Sequence, residues 1–71
     1  MKHISGKEVV KKLVRLGYGK VRQRGSHVRL EKFDGKQTRK ITVPIHRELH
    51  PKTLGSILKA AGISKKEFLE K

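Results

Sequence analysis

The chain has 71 residues, 34% hydrophobic and 4% aromatic, which allows one small domain around a thin, mostly aliphatic core. Nineteen Lys and Arg against six Asp and Glu give a formal net charge of +13, and a chain that tolerates such self-repulsion is expected to meet a polyanion. The lack of cysteine excludes a disulfide framework and a thiolate metal site, and no apolar run reaches membrane-spanning length. Nucleic acid is the first candidate partner, an acidic protein the second and an anionic membrane surface the third. No signal-peptide pattern opens the sequence, which therefore reads as a soluble cytoplasmic protein.

Ser5-Gly6-Lys7-Glu8 has the spacing of a capping box, with Ser5 as N-cap and Glu8 three residues on. Val9, Val10, Leu13, Val14 and Leu16 follow at helical spacing, Lys11, Lys12 and Arg15 take the other face, and Gly17 is placed to stop the helix. A first helix is predicted over residues 6–16. The period then changes to two. Val21 and Gln23 alternate with Lys20, Arg22 and Arg24; Val28 and Leu30 alternate with His27, Arg29 and Glu31; Ile41 and Val43 alternate with Lys40 and Thr42 until Pro44 ends the run. Gly25-Ser26 suits a two-residue type II′ hairpin turn, and Asp34-Gly35 marks a second turn. Leu54, Ile57, Leu58 and Ala61 share one face of a second helix closed by Gly62. Ser64-Lys65-Lys66-Glu67 repeats the capping-box spacing and opens a short tail helix anchored by Phe68 and Leu69. The predicted fold class is α+β, a single domain ordered α-β-β-β-α, with a three-stranded antiparallel sheet and its helices on one face.

Register places the charges. A Gly25-Ser26 turn pairs Arg24 with His27, Arg22 with Arg29 and Val21 with Leu30. Around the second turn, Val28 falls opposite Val43 and Leu30 opposite Ile41, leaving residues 34–37 as the connection. One face then carries Val21, Val28, Leu30, Ile41 and Val43. The other carries Lys20, Arg22, Arg24, His27, Arg29, Glu31, Lys40 and Thr42. A polar outer face is ordinary for an antiparallel sheet, but a face of nearly one sign is not. Arg22 opposite Arg29 opposes pairing, and such strain makes sense where an anion will sit.

His27 is the chemically distinctive member of that face. A lone histidine at a strand end is ordinarily a plain surface residue, but an imidazole among cations can move protons next to a phosphate. His46 and His50 are four apart, a spacing that binds zinc on a helix, yet Pro44 and Pro51 leave little room for one, so no metal is expected. For His46 two readings stay open, holding its loop and touching RNA. His3 is given no role. Gly17-Tyr18-Gly19 lacks the further glycine of a dinucleotide fingerprint and reads as helix stop and turn.

Taken together, Ser5-Gly6-Lys7-Glu8, Gly17-Tyr18, Arg22-Gln23-Arg24-Gly25-Ser26-His27, Thr42-Val43-Pro44-x-His46, Thr53-Leu54-x-Ser56-Ile57-Leu58-x-x-Ala61-Gly62 and Glu67-Phe68-Leu69 resemble the HicA-type toxins of bacterial and archaeal toxin–antitoxin pairs. The resemblance covers essentially the whole chain, in order, and implies a single HicA-like domain over residues 1–71. It implies a fold like the double-stranded RNA-binding domain, ribosome-independent cleavage of mRNA, and His27 as the catalytic residue. It also implies a HicB-type antitoxin that masks the site. Family members carry a Gly-containing loop before the second helix where this chain reads Arg47-Glu48-Leu49-His50-Pro51-Lys52-Thr53, so that helix is expected to start differently. The expected RNA-binding residues are Lys20, Arg22, Arg24, Ser26, Arg29 and Lys40, with single-stranded mRNA as substrate, no metal or small-molecule cofactor and no membrane. The competing reading is a non-catalytic RNA-binding module. Such a module usually grips phosphates with a Lys-Lys-x-Ala-Lys start to its last helix, a cluster missing from Thr53-Leu54-Gly55-Ser56-Ile57-Leu58-Lys59.

Overall fold

The computed structural model describes residues 4–70; His3 lies outside them. The first helix, α1, spans Gly6–Arg15. Ser5 caps it, its Oγ accepting the Glu8 amide at 3.2 Å, which satisfies one of the amides a helix start leaves unpaired. Gly17, at φ 103°, turns the chain out of the helix, and Lys32 Nζ donates to the Leu16 carbonyl at 2.8 Å. Of the apolar positions, Val9 and Leu13 are fully buried, Val10 and Leu16 are half-buried, and Val14 is exposed. The buried stripe of α1 is narrower than its sequence pattern.

Three strands follow: β1 (Gly19–Arg24), β2 (His27–Phe33) and β3 (Thr38–Pro44). They form one antiparallel sheet in the order β1-β2-β3. Positive φ falls on Gly25 (61°) and not on Ser26, which is the type II′ pattern. The β2–β3 connection is residues 34–37, as expected. There the Asp34 carboxylate accepts the Lys36 and Gln37 amides at 2.9 and 2.8 Å. Those two amides, Gln37 first, hold the Asp34 carboxyl below its ordinary range. Asp34 also meets Arg39 Nε at 3.3 Å.

The second helix, α2 (Pro51–Ala61), is capped by His50, whose Nδ1 accepts the Lys52 amide at 3.1 Å. Pro51 fills the first helical position, where its missing N–H costs nothing. This is how the atypical segment before Thr53 starts the helix. Gly62, at φ 70°, ends it. The short α3 (Lys65–Glu70) opens on the expected capping box, Ser64 Oγ accepting the Glu67 amide at 3.1 Å.

Val28, Leu30, Ile41 and Val43 project from one face of the sheet onto Val9 and Leu13 of α1 and onto Leu54, Ile57, Leu58 and Ala61 of α2. Tyr18, Leu49 and Phe68 complete the core, and the Tyr18 hydroxyl donates to the Ala61 carbonyl at 2.8 Å. The α-β-β-β-α order and the one-sided helical layer match the sequence reading. Leu69 and Val21 depart from it. Leu69 is exposed while Phe68 is buried, because neighbours on a helix lie 100° apart and one short helix offers the core one of them. Lys12 reinforces the choice: its Nζ lies 4.9 Å from the Phe68 ring centroid and 3.3 Å from the Phe68 carbonyl. The second is Val21, 54% exposed rather than part of the core. A bulge lies between Lys20 and Arg22, so Lys20, not Val21, pairs with Leu30. Among the described residues no helix is long and apolar enough to cross a membrane.

Candidate nucleic-acid interface and active site

The face of the sheet away from the helices is set by β2 and β3, whose alternation is unbroken. His27, Arg29, Glu31 and Phe33 of β2 lie opposite Pro44, Thr42, Lys40 and Thr38 of β3. On the other side of β2, Arg24 pairs with His27 and Arg22 with Arg29. Arg22, Arg24, His27, Arg29 and Thr42 together line a shallow depression of about 200 Å³. Among the described residues no carboxylate forms an ion pair with Arg22, Arg24 or Arg29, and all three are exposed. Three guanidinium groups around an exposed imidazole can hold a phosphate by charge-assisted, bidentate hydrogen bonds.

The bulge in β1 redistributes the expected cations. Arg22, Arg24 and Arg29 surround His27, and Lys40 lies on the same face, farther along the sheet. Lys20 does not lie there. Its register with Leu30 turns it to the helix side, where it borders a groove with Lys7, Lys11 and Gln23. Ser26 sits in the exposed turn before His27.

Backbone contacts fix that turn in place. The Ile45 amide donates to the Ser26 carbonyl at 2.6 Å, and the Gly6 amide donates to the His46 carbonyl at 2.9 Å. A Cβ on Gly6 would fall 1.9 Å from the Pro44 carbonyl oxygen, so only glycine lets the start of α1 approach the end of β3. The Ser5-Gly6, Gly25-Ser26-His27 and Pro44-x-His46 blocks, far apart in sequence, therefore form one support behind His27. In the sequence Gly6 shows only as part of a capping box, which does not reveal this contact. Its only local signal was glycine at a helical position where better helix formers abound.

His46 thus holds its loop through its main chain, and its side chain is exposed. His50 uses Nδ1 as a helix cap. Among the described residues no three His, Cys, Asp or Glu side chains gather as a metal site would require.

The sequence matches the family described as the HicA toxin of bacterial toxin–antitoxin systems over residues 6–63. The chain belongs to the HicA toxin family. The match runs from the first residue of α1 to just past the Gly62 cap, so it includes the whole sheet, the His27 turn and its support. Membership makes the protein the toxin half of a toxin–antitoxin pair, with an antitoxin as its protein partner. Compared with curated proteins, the sequence finds no match.

Proposed function

We propose that this HicA-family toxin is a ribosome-independent endoribonuclease that cleaves single-stranded mRNA with His27 as its general acid–base residue. The observation that carries the reading is the exposed imidazole of His27 in a depression walled by Arg22, Arg24 and Arg29. RNA supplies its own nucleophile. The 2′-hydroxyl loses its proton and attacks the adjacent phosphorus, the P–O5′ bond breaks, and the leaving 5′-oxygen gains a proton. The products are a 2′,3′-cyclic phosphate and a 5′-hydroxyl. His27 moves one of the two protons, and the arginines stabilise the charge that develops on the phosphorane oxygens. No second imidazole lines the depression among the described residues, which fits a slow enzyme.

Arg22, Arg24, Arg29 and Lys40 bind the RNA backbone in this reading, with Ser26 at the turn beside His27. Lys20, on the other side of the sheet, contributes only if the strand wraps the β1 edge. A HicB-type antitoxin inhibits by covering the same cationic face.

His27→Ala tests the proposal. The variant is expected to fold and to bind single-stranded RNA like the parent, while cleavage and growth arrest fall by about 10²–10⁴-fold. Undiminished cleavage by a nuclease-free preparation would remove His27 from the chemistry. Binding by the parent without any cleavage, in the same assay, would favour the non-catalytic RNA-binding module.

A further inference from the structure

The chain has three aromatic residues, one Tyr and two Phe. Tyr18 and Phe68 are buried in the core, 3% and 1% exposed, whereas Phe33 is 68% exposed. Single exposed apolar side chains are common and usually mean nothing. The position of Phe33 sets it apart. It lies six residues from His27 on the same strand, opposite Thr38, so its ring stands on the cationic, helix-free face. Every other described β2 and β3 residue on that face is polar except Pro44. The exposed Val14 and Leu69 belong to helices on the opposite side of the sheet, so Phe33 is not part of an apolar patch with them. Its neighbours along the face are Glu31 on its own strand and, diagonally across on β3, Lys40.

We infer that Phe33 is a base-stacking platform for single-stranded RNA whose backbone runs along β2 from the arginines at His27. Every base has a π-face, and an aromatic ring on a positively charged surface is the element that single-strand binders use to hold bases without reading them. Six strand residues at about 3.3 Å each put the ring about 20 Å from the imidazole, several nucleotides from the reacting phosphate. Phe33 therefore holds a flanking base and does no chemistry. It sets the minimum length of a good substrate and gives a position at which base identity matters little. The inference rests on the RNA-cleaving reading above.

The test uses the full chain carrying His27→Ala, so that RNA stays intact, and single-stranded oligoribonucleotides of increasing length. Adding Phe33→Ala is expected to weaken binding of the longer oligonucleotides about 5- to 150-fold, with an unchanged salt slope because no phosphate contact is lost. Phe33→Trp is expected to restore affinity. The chain has no Trp, so the new indole emission reports stacking directly and should be quenched when RNA binds. Unchanged affinity for Phe33→Ala together with unquenched indole emission overturns the stacking role while leaving the cationic face as the RNA site. If Phe33→Ala weakens binding of the antitoxin and not of RNA, the ring is a protein contact and the inference is wrong. If the His27→Ala parent shows no salt-dependent RNA binding at all, the RNA reading falls and the stacking role with it.

Discussion

At the scale of single residues, the sheet contains one pairing that works against its own stability. Arg22 and Arg29 face each other across β1 and β2, an arrangement that costs about 0.2–1 kcal/mol in a sheet, and a phosphate between them would reverse its sign. Tyr18 makes the opposite kind of contribution. It is the only tyrosine, its ring fills the core and its hydroxyl donates to the Ala61 carbonyl, which ties the end of α2 to the turn after α1. Burial raises its pKa above the ordinary 10.0. The folded state then keeps the proton to higher pH than the unfolded state. The Tyr18 contribution is fully present below pH 10 and is lost as pH rises through the raised value. Alkaline unfolding followed by tyrosinate absorbance is expected to show one delayed ionisation. Tyr18→Phe should abolish that alkaline loss and lower stability at neutral pH by about 0.5–1.5 kcal/mol, since the Ala61 carbonyl loses its donor.

At the scale of elements, helix ends and turns are where local chemistry and fold agree most closely. Ser5 and Ser64 cap the helices they were expected to cap, because a hydroxyl three residues before an amide needs no tertiary context to find it. His50 is a less common cap, and its role could not be read from a histidine spacing that also suits zinc. His50→Ala is expected to lower stability by about 0.5–2 kcal/mol, and His50→Ser to recover most of that, as measured by denaturant midpoints at unchanged m. The strands show where legibility ends. Each face of β2 and β3 was readable because Val28, Leu30, Ile41 and Val43 are buried, and a slip of one residue would expose all four. All six residues of β1 are exposed, so no burial energy enforces its alternation, and a bulge carries no penalty of that kind. The single apolar residue, Val21, was a false guide to its face. The same reasoning explains why Arg22, Arg24 and Arg29 were placed correctly and Lys20 was not. The first three lie on the turn side of the bulge or on β2, and Lys20 lies beyond it.

At the scale of the whole molecule, two groups of cations stand apart from the other basic residues. Lys12 caps α3 against Phe68, Lys32 caps α1 at Leu16 and lies 5.8 Å from the Tyr18 ring centroid, and Arg39 pairs with Asp34. These cations hold the fold, two of them at helix C-termini where the dipole favours them. Arg22, Arg24, Arg29 and Lys40 form no ion pair among the described residues and concentrate on one face. Salt should therefore act in opposite directions on stability and on binding. Between about 50 and 200 mM salt, screening of the net charge is expected to raise Tm. Over the same range RNA affinity should fall, with a log–log slope of about −3 if four cations each neutralise a phosphate. A flat binding response would remove the sheet face as the RNA site. An antitoxin that covers this face should likewise raise Tm strongly, since it relieves the same repulsion and binds only the folded state.

The sequence alone determined the order of elements, the two tight turns, the serine caps of the first and third helices and the outward direction of His27, because each follows from local backbone preferences or from a period that burial enforces. Tertiary structure decided the rest. It selected Phe68 over Leu69 for the core, sent Lys20 to the helix side of the sheet, and brought Gly6, Ser26, Pro44 and Ile45 together behind the His27 turn. Those outcomes depend on which surfaces meet across dozens of residues, and a Cβ that would clash with a distant carbonyl leaves no periodic trace in the chain that carries it.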